Sequence, residues 1–187
     1  SRSSSASVQV DRGEAKQMKA SQRSSITVRV WNDAGLVGIT STSDLSASGL
    51  ERALTGARDA SQFGNAADTP GFSPLAKAPV PELDRPLQQE QGIQTLLTTL
   101  KAAEASLLSK HQSIETIPYN GLSEGCNERI YLNSDGALRQ VQRSKASLYL
   151  YARAEEAGRK PRSGGAMRIA LGSAGLDVQG CIDEAAE

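Results

Sequence analysis

Between Ala66 and Gln89 the chain carries Pro70, Pro74, Pro79, Pro81 and Pro86, and this stretch constrains the fold more than any other feature. Each proline fixes φ and removes a backbone donor, so no regular helix or strand is expected to run through it. A connection of that length without its own structure is uncommon inside one compact domain. The expected organisation is therefore two modules, residues 1–65 and 91–187, joined by a Pro-rich linker over 66–90.

In the first module, Ile26-Thr27-Val28-Arg29-Val30-Trp31 alternates, with Ile26, Val28 and Val30 on one face and Thr27, Arg29 and Trp31 on the other. Asn32-Asp33-Ala34-Gly35 supplies turn chemistry before Leu36 to Ser41 resumes as a strand, which predicts a hairpin. Upstream, Ala6 to Val10 and Gln17 to Ser21 flank Asp11-Arg12-Gly13-Glu14. A second hairpin there would complete an antiparallel sheet of about four strands. A helix follows, in which Ser48 and Glu51 have capping-box spacing and Leu50, Ala53, Leu54, Ala57 and Ala60 form the stripe expected to cover the sheet, with Gly64-Asn65 as its stop.

The second module opens on a helix from about Gln91 to Lys110, marked by Ile93, Leu96, Leu97, Leu100 and Leu107. Strands are expected over Ser113 to Tyr119, Arg129 to Leu132, Ala137 to Gln142 and Ser147 to Arg153, with Ala166 to Ala170 as an edge. Asn133-Ser134-Asp135-Gly136 is the turn between the second and third. Leu176, Val178, Cys181, Ile182 and Ala185 then start a helix that reads as truncated at Glu187. With a start at Ser1, this suggests a fragment of a longer protein. The expected fold class is α+β: two modules, each a mainly antiparallel sheet packed against one or two helices as a two-layer sandwich.

Little in the chain points to chemistry. Basic and acidic residues balance at 21 each, which removes the electrostatic case for a direct nucleic-acid partner or an anionic membrane surface. No apolar run is long enough to span a bilayer and the start lacks a signal peptide's apolar core, so a cytoplasmic location is expected. The single histidine, His111, falls just past the second helix, where it is expected to be stabilised by the helix dipole. Zinc would need three or more convergent ligands, and no such spacing occurs. Cys126 and Cys181 read as small apolar side chains, and no local signature makes Cys126 and His111 a thiol nucleophile and its base. Gly121-Leu122-Ser123-Glu124-Gly125 has the letters of a nucleophile elbow without the strand and helix that motif requires, and is expected to be a loop. Arg162-Ser163-Gly164-Gly165 lacks the spacing of a phosphate-binding loop, and Arg159-Lys160-Pro161-Arg162 is expected to be a solvated turn. No catalytic, cofactor-binding or metal residue is assigned.

Three segments together resemble the amino-terminal half of the TldD/PmbA family, labelled modulators of DNA gyrase and understood as metallopeptidase subunits. They are Ser7 to Glu14 with Ile26 to Val30; Gly38-Ile39-Thr40-Ser41-Thr42-Ser43-Asp44-Leu45-Ser46; and Leu132 to Gly136 with Arg143 to Ser147 and Ala154-Glu155-Glu156. The Ser-Thr-Ser-Asp-Leu-Ser form and the Asn-Ser-Asp-Gly turn are more similar to the PmbA (TldE) type than to the TldD type. The resemblance implies a cytoplasmic, oligomeric assembly engaged in proteolysis of unfolded peptides, in which this region forms channel wall and subunit contacts with itself or a TldD-like partner. It implies no cofactor in this fragment, any zinc of the full assembly being held by a His-Glu helix motif in the carboxy-terminal half. The competing reading is a non-enzymatic binding or scaffold protein, such as a modulator of DNA gyrase.

Overall fold

The structure, a computed structural model, describes residues 1–64, 74–79 and 90–187. It is α+β, with β1 (Arg2–Asp11), β2 (Glu14–Ser24), β3 (Ile26–Trp31), β4 (Val37–Thr42), α1 (Ala47–Ser61), α2 (Ile93–Leu108), β5 (Ile114–Leu132), β6 (Leu138–Ala154), β7 (Arg162–Ala170) and α3 (Val178–Ala185). One sheet has five strands in the order β2-β1-β5-β6-β7, and the other is the β3-β4 pair. Most of the proposed linker lies outside the described residues, although Pro74–Ala76 forms one 3-10 turn where no regular structure was expected.

The four-stranded first sheet expected from the local pattern does not form. The β1-β2 hairpin joins β5 instead, because Val8 and Val10 belong to the apolar cluster of Leu122, Leu148 and Leu150. Alternation tells which face of a strand is apolar but not which strand it pairs with. Two compact units result, interleaved in sequence: residues 1–2, 23–84 and 128–141 in one, and 3–22, 85–127 and 142–187 in the other.

In the first-described unit, β3 and β4 pair antiparallel with Val28 opposite Thr40 and Val30 opposite Gly38. The N-cap of α1 is Ser46, whose hydroxyl accepts from Gly49 N, rather than Ser48. Asp44 explains the shift, since its carboxylate accepts from both the amide and the hydroxyl of Ser46 and fixes the entry to the helix. The helix packs with Gly49, Ala53, Ala57 and Ser61 buried, while Leu50 and Leu54 of the expected stripe are 37% and 40% exposed. Small residues win this face because the backbones approach closely: a Cβ on Gly38 would run into the carbonyl of Ala57. At the hairpin turn, Asn32 Oδ1 accepts from Ala34 N and Leu36 N, and Gly35 takes φ 74°. Asn133 and Gly136 repeat the arrangement between β5 and β6, with Ala137 N donating to Asn133 Oδ1 and Gly136 at φ 84°.

The other unit holds the main core. Leu96, Leu100, Ala103 and Leu107 of α2 and Cys181, Ile182 and Ala185 of α3 pack with Val8, Val10, Leu122, Leu148, Leu150 and Ala166 of the sheet. Fully burying a leucine contributes about 1.5–3 kcal/mol, and α2 is held by three of them, Leu96, Leu100 and Leu107. β6 and β7 pair antiparallel with Tyr149 opposite Met167, Tyr151 opposite Gly165 and Leu150 opposite Ala166. Tyr149, Tyr151, Met167 and Ile169 therefore share the face opposite the core, where Met167 and Ile169 are 52% and 59% exposed. On that face the Tyr149 ring lies over Gly121 and the Tyr151 ring over Gly165.

Candidate functional site

Each residue weighed for chemistry sits in a structural setting. Gly121 to Gly125 is not a loop but the interior of β5, a strand of 19 residues that absorbs two shorter expected strands and the segment between them. Ser123 within it hydrogen-bonds the hydroxyl of Ser147 on β6 at 2.9 Å, so no elbow exists. Likewise β6 runs unbroken from Leu138 to Ala154, and Arg162 to Gly165 is the start of β7.

His111 does not cap the α2 carbonyls. The helix ends at Leu108, and His111 Nδ1 lies 2.7 Å from Ser113 Oγ and accepts from Ser113 N at 3.2 Å, closing the turn into β5. Cys126 Sγ accepts from Gln142 Nε2 at 3.2 Å, and Cys181 is fully buried on the inner face of α3; both are free thiols. Burial pushes the Cys181 thiol above its ordinary pKa, the opposite of what a nucleophile needs. Arg159 and Lys160 are exposed, and Arg159 pairs with Glu156 at 3.0 Å. Trp31 Nε1 is buried with no hydrogen-bond partner among the described residues, for which the structure gives no physical account.

Three buried polar side chains that the sequence pattern did not single out organise the sheet. Glu104 on α2 accepts from Arg12 N at 3.1 Å and Gly13 N at 2.7 Å, gripping the β1-β2 turn where both residues take positive φ. Asn120 binds Val10 as a peptide group would: Oδ1 accepts from Val10 N and Nδ2 donates to Val10 O, both at 2.9 Å. This matters beside Pro118, which has no N–H to give the ladder. Glu124 accepts from Gly92 N at 2.8 Å and Ser173 Oγ at 2.6 Å, standing in for the side-chain cap that Gly92, the N-cap of α2, lacks. No local sequence signal marks these three, because their burial and their partners on other elements appear only in the fold, where such groups are buried only with partners.

What remains open is the sheet itself. β2 and β7 are its end strands, and every residue from Glu14 to Arg23 is exposed. Edge strands carry unpaired main-chain donors and acceptors able to take an extended peptide.

Residues 1–61 match the family model described as PmbA/TldA metallopeptidase domain 1, and residues 86–187 match the PmbA/TldA metallopeptidase central domain. The chain belongs to the TldD/PmbA family. Its fold is that of three solved structures. TldE from Thermococcus kodakarensis is 17% identical, with TM-score 0.84 over 99% of this chain and 41% of that one. A protein of Thermotoga maritima described as a candidate modulator of DNA gyrase is 18% identical, with TM-score 0.80 over 99% and 41%. One from Bacteroides thetaiotaomicron with the same description is 17% identical, with TM-score 0.80 over 98% and 42%. The chain thus spans about two fifths of the length of these relatives. No curated protein matches it. Membership raises the question of zinc, and among the described residues no group of three or more His, Cys, Asp or Glu is placed to hold a metal. These residues do not fit a zinc site, and no chemical step is derived through one.

Proposed function

We propose that this chain is the amino-terminal, non-catalytic region of a TldD/PmbA-type metallopeptidase subunit of the PmbA (TldE) kind, which takes part in breaking down unfolded peptides. The observation that carries the reading is the match of both metallopeptidase domain models over 1–61 and 86–187. In it the region supplies peptide-channel wall and contacts to a second copy or a TldD-like subunit, in the cytoplasm, while any zinc belongs to the rest of the assembly. Open sheet edges suit that role because main-chain pairing holds an extended peptide without demanding particular side chains. Among the described residues no helix is long and apolar enough to cross a membrane.

The test is turnover of a reduced, carboxymethylated protein by the parent protein co-purified with a TldD-type subunit. Degradation abolished by a chelator and restored by zinc is expected. If the zinc-loaded pair leaves unfolded substrate intact, the reading fails. A scaffold reading is favoured by the description of two solved relatives as candidate modulators of DNA gyrase. It would stand if the pair proved inactive and the parent bound purified gyrase.

A further inference from the structure

The two end strands of the five-stranded sheet differ in whether their mid-strand cations are already paired, and the difference bears on what each edge can accept. On β7, Arg162 is exposed at the first residue of the strand, whereas the mid-strand cation Arg168 is turned to α3, donating to Gly180 O at 3.0 Å and Glu184 at 2.7 Å, which leaves Met167 and Ile169 to the open face. On β2 the cations Lys16, Lys19 and Arg23 are exposed and make no ion pair among the described residues, with Lys16 on one face of the strand and Lys19 and Arg23 on the other. The nearby acid of that strand, Glu14, is already engaged by Lys101 at 3.4 Å, and Asp11 lies across the turn on β1. β2 has no proline or glycine to interrupt it and is an end strand of the sheet, so its outer main-chain groups are unpaired within that sheet.

We propose that the outer edge of β2 docks an acidic peptide in extended conformation by strand addition, with Lys16 and Lys19 selecting the charge. Main-chain hydrogen bonds give the binding and the lysines give the preference. A second copy of β2 is disfavoured at the same edge, because like charges facing one another across paired strands repel. The role in peptide handling rests on the proposed function; the binding itself does not.

The experiment titrates the 187-residue chain into a fluorescein-labelled peptide of Glu-Glu-Val-Val repeats, which carries Glu on both faces of an extended strand, read by anisotropy at low and high salt. Saturable binding that weakens with salt is expected. Lys16→Glu/Lys19→Glu should weaken it about tenfold and favour the Lys/Val counterpart instead. A Glu/Val peptide N-methylated at alternate residues keeps its charge and should lose binding. Equal affinity of the double variant, or undiminished binding of the N-methylated peptide, overturns the proposal. Should the assembly degrade unfolded substrates while β2 binds no acidic peptide, this inference fails and the proposed function survives. Acidic-peptide binding at β2 in an assembly without turnover upholds this inference and overturns the proposed function.

Discussion

Replacing Asn120 with alanine tests how the first hairpin is held to β5. Asn120 is 3% exposed and Val10 1%, and the carboxamide serves Val10 N and Val10 O at 2.9 Å and Ile117 O at 3.1 Å. Truncation leaves one donor and two acceptors buried without that partner. Each orphaned group costs about 1–3 kcal/mol, with the low end applying if a water enters the vacated space, so a loss of about 3 kcal/mol is expected. Against a typical total of about 5–15 kcal/mol this is a large fraction. Urea unfolding followed by circular dichroism measures the loss, and hydrogen exchange at the Val10 amide localises it. Asn120→Asp should also destabilise at neutral pH, since a carboxylate accepts from Val10 N but cannot donate to either carbonyl. A loss below about 1 kcal/mol with Val10 still protected would mean that the carboxamide is not what holds the hairpin.

Other outcomes follow from the same geometry. Gly38→Ala should destabilise the β3-β4-α1 unit by at least about 1–3 kcal/mol, because the added Cβ meets the Ala57 carbonyl; thermal unfolding reads this. In the native chain, a thiol reagent should modify Cys126 quickly and Cys181 only on unfolding, as mass spectrometry of timed samples would show. Hydrogen bonds from Lys110 and Gln179 hold Asp183 below its ordinary value of 3.8, so its stabilisation is present above that value and is lost as pH falls through the lowered one. Asp183→Asn should therefore be less stable than the parent sequence at pH 7 and equal to it at the acid end of a denaturation series. Equilibrium dialysis of the chain should find no stoichiometric zinc, and zinc lost on His111→Ala would contradict the placement of that residue in a turn.

Local chemistry was legible where one short segment decides the outcome. The Asn-x-x-Gly spacing at Asn32 and Asn133 specifies two turns through the same side-chain and positive-φ devices. The leucine spacing of α2 specifies its buried face, because large side chains need the core. On α1, by contrast, contact with Gly38 demands small residues, so Ala53 and Ala57 face inward and Leu50 and Leu54 stay half open. The continuity of β5 through Gly121 and Gly125 was hidden because glycine reads as a breaker, whereas here it admits the Tyr149 ring and the Ser4 backbone. The attachment of β1 to β5 was hidden for a different reason: it depends on Asn120 and on apolar partners more than a hundred residues away, which no local period records. The family likeness was legible from the segments around Asp11, Thr40 and Asn133, whereas the buried carboxylates of Glu104 and Glu124 were not, because their partners lie on distant turns.

A region that contacts unfolded peptide during proteolysis without supplying the chemistry should be reachable by crosslinking. The decisive experiment attaches a benzophenone-bearing unfolded peptide by light to the parent protein assembled with a catalytically inactivated TldD-type subunit, and maps the crosslinks by mass spectrometry. Crosslinks within residues 1–187, competed away by unlabelled peptide, are predicted. Competable crosslinks found only outside this region would contradict the proposed role.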